Sequence, residues 1–147
     1  MVKVKVEVEV SRQSIADCLC AGFEGGIGYW AKIVSYVTPP AGSDLHVRLY
    51  DDHEVYPYYH YPMCEAGGGV VLGDAELDGD PFALTVQNAG ADCTGLVTLD
   101  YASVLRGLAL LAEEQPRHFT ALTSGDSDAE TGDVLIQLAV FGHVVFG

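Results

Sequence analysis

Basic residues are scarce in this chain: 7 Lys and Arg stand against 21 Asp and Glu, for a formal net charge of −14 over 147 residues. So acidic a surface repels phosphates at long range, which argues against an extended nucleic-acid groove. Long apolar runs are missing as well. A stretch such as 134–140 is too short to span a bilayer, so no membrane partner is expected. No basic segment with an apolar core and cleavage site opens the chain, so secretion is not expected and the cytoplasm is the expected location. There are four cysteines, Cys18, Cys20, Cys64 and Cys93, and one tryptophan. Cys18 and Cys20 point to different faces of a helix, and four reduced thiols fit better than a disulfide framework. No Gly-x-Ser-x-Gly motif and no glycine loop followed by Lys-Ser/Thr is present. These absences leave no catalytic set and no cofactor to predict.

What is there is ordinary globular material: 49% hydrophobic and 19% charged residues, in a length that suits a single domain over 1–147. Residues 2–10 alternate strictly, with Val2, Val4, Val6, Val8 and Val10 on one face and Lys3, Lys5, Glu7 and Glu9 on the other. That pattern predicts a half-buried strand. Ser11 reads as the N-cap of a helix from 12 to about 23, with Ile15, Leu19 and Phe23 along one stripe. Gly25 and Gly26 offer a left-handed close to that helix. Further strands are expected at 29–38, 45–50, 70–72, 81–86 and 94–99. Residues 51–69 form a long Tyr-rich loop whose length favours an interaction role. Asp100 caps a helix over 101–114, with Val104, Leu105, Leu108 and Leu111 inward. Pro116 ends it and opens a short turn, and a last helix runs from Asp128 to Gly142 with Val134, Leu135, Leu138 and Phe141 inward. The expected fold is α+β, a mainly antiparallel sheet of about five strands packed with one N-terminal and two C-terminal helices.

The segment Glu24-Gly25-Gly26-Ile27-Gly28-Tyr29-Trp30 joins helix to strand. Phosphate loops require the opposite order, so a helix end followed by close packing is the favoured reading. Tyr29 and Trp30, adjacent on a strand, would face opposite sides, one in the core and the other able to stack on a planar ligand. His46, His53 and His60 recur every seven residues beside Asp51, Asp52, Glu54 and Cys64. This is not a known metal spacing, so no metal is expected.

The block 21–30, Ala-Gly-Phe-Glu-Gly-Gly-Ile-Gly-Tyr-Trp, resembles a motif of small proteins found in bacteriophage and prophage genomes. The block 128–134, Asp-Ala-Glu-Thr-Gly-Asp-Val, with Gln137 and Phe141-Gly142, is similar to the ending of the same group. The closer resemblance is to the Thoeris anti-defence sponge family, phage proteins that sequester cyclic ADP-ribose-type signals. It implies a homo-oligomer in an infected bacterial host, with ligand pockets at subunit interfaces and no turnover.

From the residues themselves, the candidate ligand contacts are stacking from Phe23 or Trp30, anion contacts from Arg48 and Arg106, and polar contacts from Asn88, Asp133 or Gln137. The leading expectation is therefore a non-enzymatic binding protein for a small nucleotide-like signal. An acidic inhibitor aimed at a host defence protein is the alternative, and a metal-dependent enzyme ranks last.

Overall fold

In a computed structural model the described residues are 1–43, 58–74, 76–77, 80–81 and 96–147. Helix α1, Arg12–Ala21, opens where expected, with the Ser11 hydroxyl accepting from the Ser14 N–H at 3.0 Å. It runs on into a π-turn, Gly22–Gly26, closed by the Ile27 N–H donating to the Gly22 carbonyl at 2.9 Å. Neither Gly25 nor Gly26 takes a positive φ, so the expected left-handed close is absent. These glycines serve close approach instead.

A three-stranded antiparallel sheet has the order β1 (Ala31–Val37), β2 (Gly69–Asp74), β5 (Val97–Leu99). β3 (Glu76–Leu77) and β4 (Asp80–Pro81) form a separate two-residue pair. β2 is central: Val70 faces Tyr36 on one side and Leu99 on the other, and Leu72 faces Ile33 and Val97. Val70, Leu72, Val97 and Leu99 lie on the core face, while most of β1, the end strand of the sheet among the described residues, is exposed. Among the described residues the sheet thus has fewer strands than the five expected. Residues 45–50 and 82–86 lie outside the described residues. Residues 2–10 join no ladder among the described residues and are exposed almost throughout, which corrects the half-buried strand read from their alternation. Alternation states what a strand would look like; it does not supply a neighbour.

Three helices follow β5, one more than expected: α2 (Tyr101–Glu114), α3 (Pro116–Thr123) and α4 (Ala129–Phe141). Pro116 explains the difference. It stops α2, but at N1 its fixed φ and missing N–H start a new helix rather than a turn. Asp100 and Asp128 cap α2 and α4, accepting from Ser103 N–H at 2.9 Å and Thr131 N–H at 2.8 Å. Gly142 closes α4 at φ 78°. α4 is the hub, packing on α1, the π-turn, α2, α3 and β5. It is buried on most sides, consistent with its near-continuous apolar run. Leu105 departs from the expected inward stripe of α2 and is 49% exposed.

The crossing of α1 on α4 is backbone against backbone. A Cβ on Gly22 would lie 2.7 Å from the Gly132 carbonyl carbon, and one on Gly132 would strike Gly22 and the Cys18 carbonyl. Gly26 likewise lies against the Ala129 carbonyl at the first turn of α4. This close approach places the residues after the π-turn over the start of α4. No described helix is long and apolar enough to cross a membrane.

Candidate functional site

Because the π-turn rests on α4, residues 27–30 form a turn rather than the start of a strand. The N–H groups of Trp30 and Ala31 both donate to the Ile27 carbonyl at 2.9 Å. This corrects the reading that Tyr29 and Trp30 face opposite sides of a sheet, for in a turn neighbouring side chains can converge. Both reach Asp133, a hundred residues on. The Trp30 indole N–H donates to Asp133 Oδ1 at 2.7 Å and the Tyr29 hydroxyl donates to Oδ2 at 2.6 Å.

Gln137, one turn beyond Asp133 on α4, completes the cluster. Its Nε2 donates to Asp133 Oδ1 at 2.9 Å, to the Phe146 carbonyl at 3.1 Å and, longer, to the Tyr29 oxygen at 3.4 Å. Its Oε1 accepts from the N–H groups of Val145 and Phe146, each at 2.8 Å. Two backbone donors on one amide oxygen fix which way that amide points. The tail after Gly142 is thereby folded back over the core. Phe146 stacks on Trp30, with centroids 5.4 Å apart and 26° between planes, and Phe141 meets the same indole at 5.4 Å and 54°.

Trp30 and Gln137 are 0% exposed and Asp133 is buried. A buried carboxyl group is costly unless its lone pairs are used, and here three donors use them. Tyr29 is 40% exposed, yet its hydroxyl end enters the cluster. Desolvation of that hydroxyl, reinforced by Asp133, holds the phenol well above its ordinary pKa, so it stays a donor.

No family model, curated protein or solved structure matches the chain. The site is therefore read from its own chemistry. Of the seven candidate ligand contacts, Trp30, Asp133 and Gln137 come together in this cluster, turned on one another, and Phe23 lies in the same core. Arg106 is on the exposed side of α2, where its guanidinium donates to the Ser103 hydroxyl at 3.4 Å and lies near Asp100. Arg48 and Asn88 lie outside the described residues. Among the described residues no three potential metal ligands gather. His60 is buried, and His46, His53, Asp51, Asp52 and Glu54 lie outside the description.

Sequence reasoning missed the tail: nothing in residues 143–147 announces that their backbone caps a glutamine. The one local signal is Gly142, which ends α4 early enough for the chain to turn back.

A second feature lies on the other side of α2. An open apolar slot of about 440 Å³ runs between residues 6–10 and the helices, lined among others by Val8, Ile15, Leu105, Leu108 and Phe119. Arg12 stands at this slot, but it meets Glu65 at 3.6 Å. The slot therefore lacks the cationic character a phosphate would need.

Exposed carboxylates gather at the far end of α1. Burial raises the Cys20 thiol, and Glu24 and Asp17 raise it further, which places both acids around that sulfur. Burial pushes Cys18 up to about 11, with Asp128 adding to the effect. Glu130 follows Asp128 on the same exposed turn.

Proposed function

We propose that this is a non-enzymatic binding protein, carried by a phage, that counters host defence by occupying a basic surface on another protein. One observation carries the reading. The aromatic and polar side chains best suited to a small ligand are buried and turned on one another, whereas Asp17, Glu24, Asp128 and Glu130 are exposed to solvent around α1 and the start of α4. Of these acids, Asp17, Asp128 and Glu130 also meet Gln13, the Thr131 N–H and His118, respectively. A net charge of −14 extends their field and steers a basic partner towards the protein.

A test is capture of host proteins on the immobilised protein at low and high salt, alongside the triple variant Asp17→Asn, Glu24→Gln, Glu130→Gln. The expected result is a basic partner held at low salt, released at high salt and weakened by the variant. Absence of any salt-sensitive partner would sink the proposal.

A second reading, sequestration of a small cyclic-nucleotide-type signal at oligomer interfaces, is favoured by the resemblance and by one place on the surface. Gly28 is exposed with open space above it, and the Tyr29 ring beside it is accessible, so a planar base has a shelf to lie on. Thermal-shift measurements with cyclic ADP-ribose isomers and cyclic oligonucleotides separate the two. A ligand-dependent rise favours sequestration, and no response to any of them removes it.

A further inference from the structure

Residues 2–10 are the most regular stretch of the sequence, yet they have no partner strand among the described residues. Four of their valines are exposed, from 91% at Val2 to 53% at Val8, while Val10 packs partly buried against the core. Four exposed β-branched residues on one face of a strand-forming segment that joins no ladder among the described residues form a template for strand pairing.

The charges on the opposite face say which strand fits. Pair the segment antiparallel with a second copy so that opposed residue numbers sum to twelve. Lys3 then faces Glu9, Lys5 faces Glu7, Val4 faces Val8, Val2 faces Val10, and Val6 faces its own counterpart. All four charged pairs have opposite sign, and all nine residues are used. Sliding by two residues sets Lys5 against Lys5 or Glu7 against Glu7. A parallel in-register pairing sets every charge against its like, and a one-residue slip sends valines to the charged face. Only one register satisfies both faces.

We infer that residues 2–10 of two copies of this chain pair as an antiparallel two-stranded ribbon centred on Val6, making the protein a symmetric dimer. The interface is isologous, as a two-fold axis through Val6 requires. The same register explains the slot beside α2. Val6, Val8 and Val10 line it, and the partner arm brings its own Val4 and Val2 alongside Val8 and Val10. The incoming valines cover apolar surface that one copy leaves open, including Leu105. This inference stands on the arm and the slot and is independent of the function proposed above.

Charge reversal in the full-length protein tests it. K3E/K5E gives an all-acidic arm and E7K/E9K an all-basic one. Light scattering after size exclusion, over a dilution series, is expected to show a dimer for the native chain and monomers for each variant alone. An equimolar mixture of the two is expected to restore a heterodimer. The quadruple variant, with both halves exchanged, is expected to dimerise as the native chain does. Circular dichroism checks that each variant remains folded.

A second measurement reads the register. Val6→Cys is expected to form a disulfide to the same position of the other copy under mild oxidation, since directly opposed Cα atoms lie within about 4.4–6.8 Å. Val4→Cys should not, because its two copies would sit roughly 13 Å apart along the ribbon. Peptide mapping distinguishes these links from any at the native cysteines. A monomeric native chain, two reversal variants that dimerise unaided, a mixture that stays monomeric, or a Val4→Cys link that forms as readily as the Val6→Cys link would each overturn the inference.

Discussion

Asp133 offers the sharpest test of what holds this fold together. Replacing it with alanine leaves the Trp30 indole N–H buried with no acceptor and removes one of the bonds to Gln137 Nε2. Tyr29 loses its partner too, but its ring is partly exposed and its hydroxyl can turn to water. The dominant cost is therefore the stranded indole donor, with a smaller contribution from the loosened glutamine. A buried donor left unsatisfied costs about 1–3 kcal/mol, so the sum is roughly 3 kcal/mol. For a domain near this size each kcal/mol lowers the midpoint by about 2–4 °C, which places Asp133→Ala about 6–12 °C below the native protein. Asp133→Asn keeps an acceptor towards Trp30 and Gln137 and offers an N–H to the Tyr29 oxygen, so its loss should be less than half as large. Trp30 is the chain's only tryptophan, so its fluorescence reports this cluster alone. Thermal melts followed by that emission and by far-UV circular dichroism supply both numbers. An Asp133→Ala midpoint within about 2 °C of native, or an Asn variant as damaged as the Ala, would refute the hydrogen-bond account.

Gln137→Leu should release the tail, since Val145 and Phe146 lose their shared acceptor; hydrogen exchange at those two amides is expected to quicken well ahead of the α4 amides. Gly132→Ala forces α1 away from α4 and is expected to destabilise by about 1–3 kcal/mol or more in chemical denaturation, whereas Gly28→Ala, where a Cβ meets open space and φ is not positive, should cost less. Stability should also fall with acid in two stages. Burial holds the His60 pKa below its ordinary value, partly offset by Asp17, so the unfolded chain binds the proton first. That contribution is complete above the ordinary histidine range and lost as pH drops through it. Asp100, where bonds from Ser103 outweigh burial, and Asp128, held by Thr131, both have lowered pKa values. Their contribution is complete above the ordinary carboxylate range and lost as pH falls below it. His60→Gln should remove the first stage of a urea titration across pH and leave the second. With a maleimide, Cys20 should react ahead of Cys18 and Cys64, which are buried.

The parts of this protein legible in its sequence are those governed by residues three or four apart. Ser11, Asp100 and Asp128 each begin a helix where their side chains predict it, because a cap needs only an N–H three residues away. Gly142 ends α4 for an equally local reason. Pro116 is readable as a stop, and its fixed φ and missing N–H at N1 start α3 just as locally.

What only the tertiary structure decided involves partners distant in sequence. The glycines of 22–26 are there because α4 crosses them, and no local pattern names the crossing element. Tyr29 and Trp30 share Asp133 because a turn replaced a strand, and Gln137 is spoken for by the backbone of a tail that looks featureless in sequence. The arm at 2–10 shows the same division in reverse. Its alternation and charges specify a strand and even a register, while the described chain supplies no second strand. A hydrophobic period dictates which face must be covered, and the tertiary structure shows that no described strand of the same chain covers it.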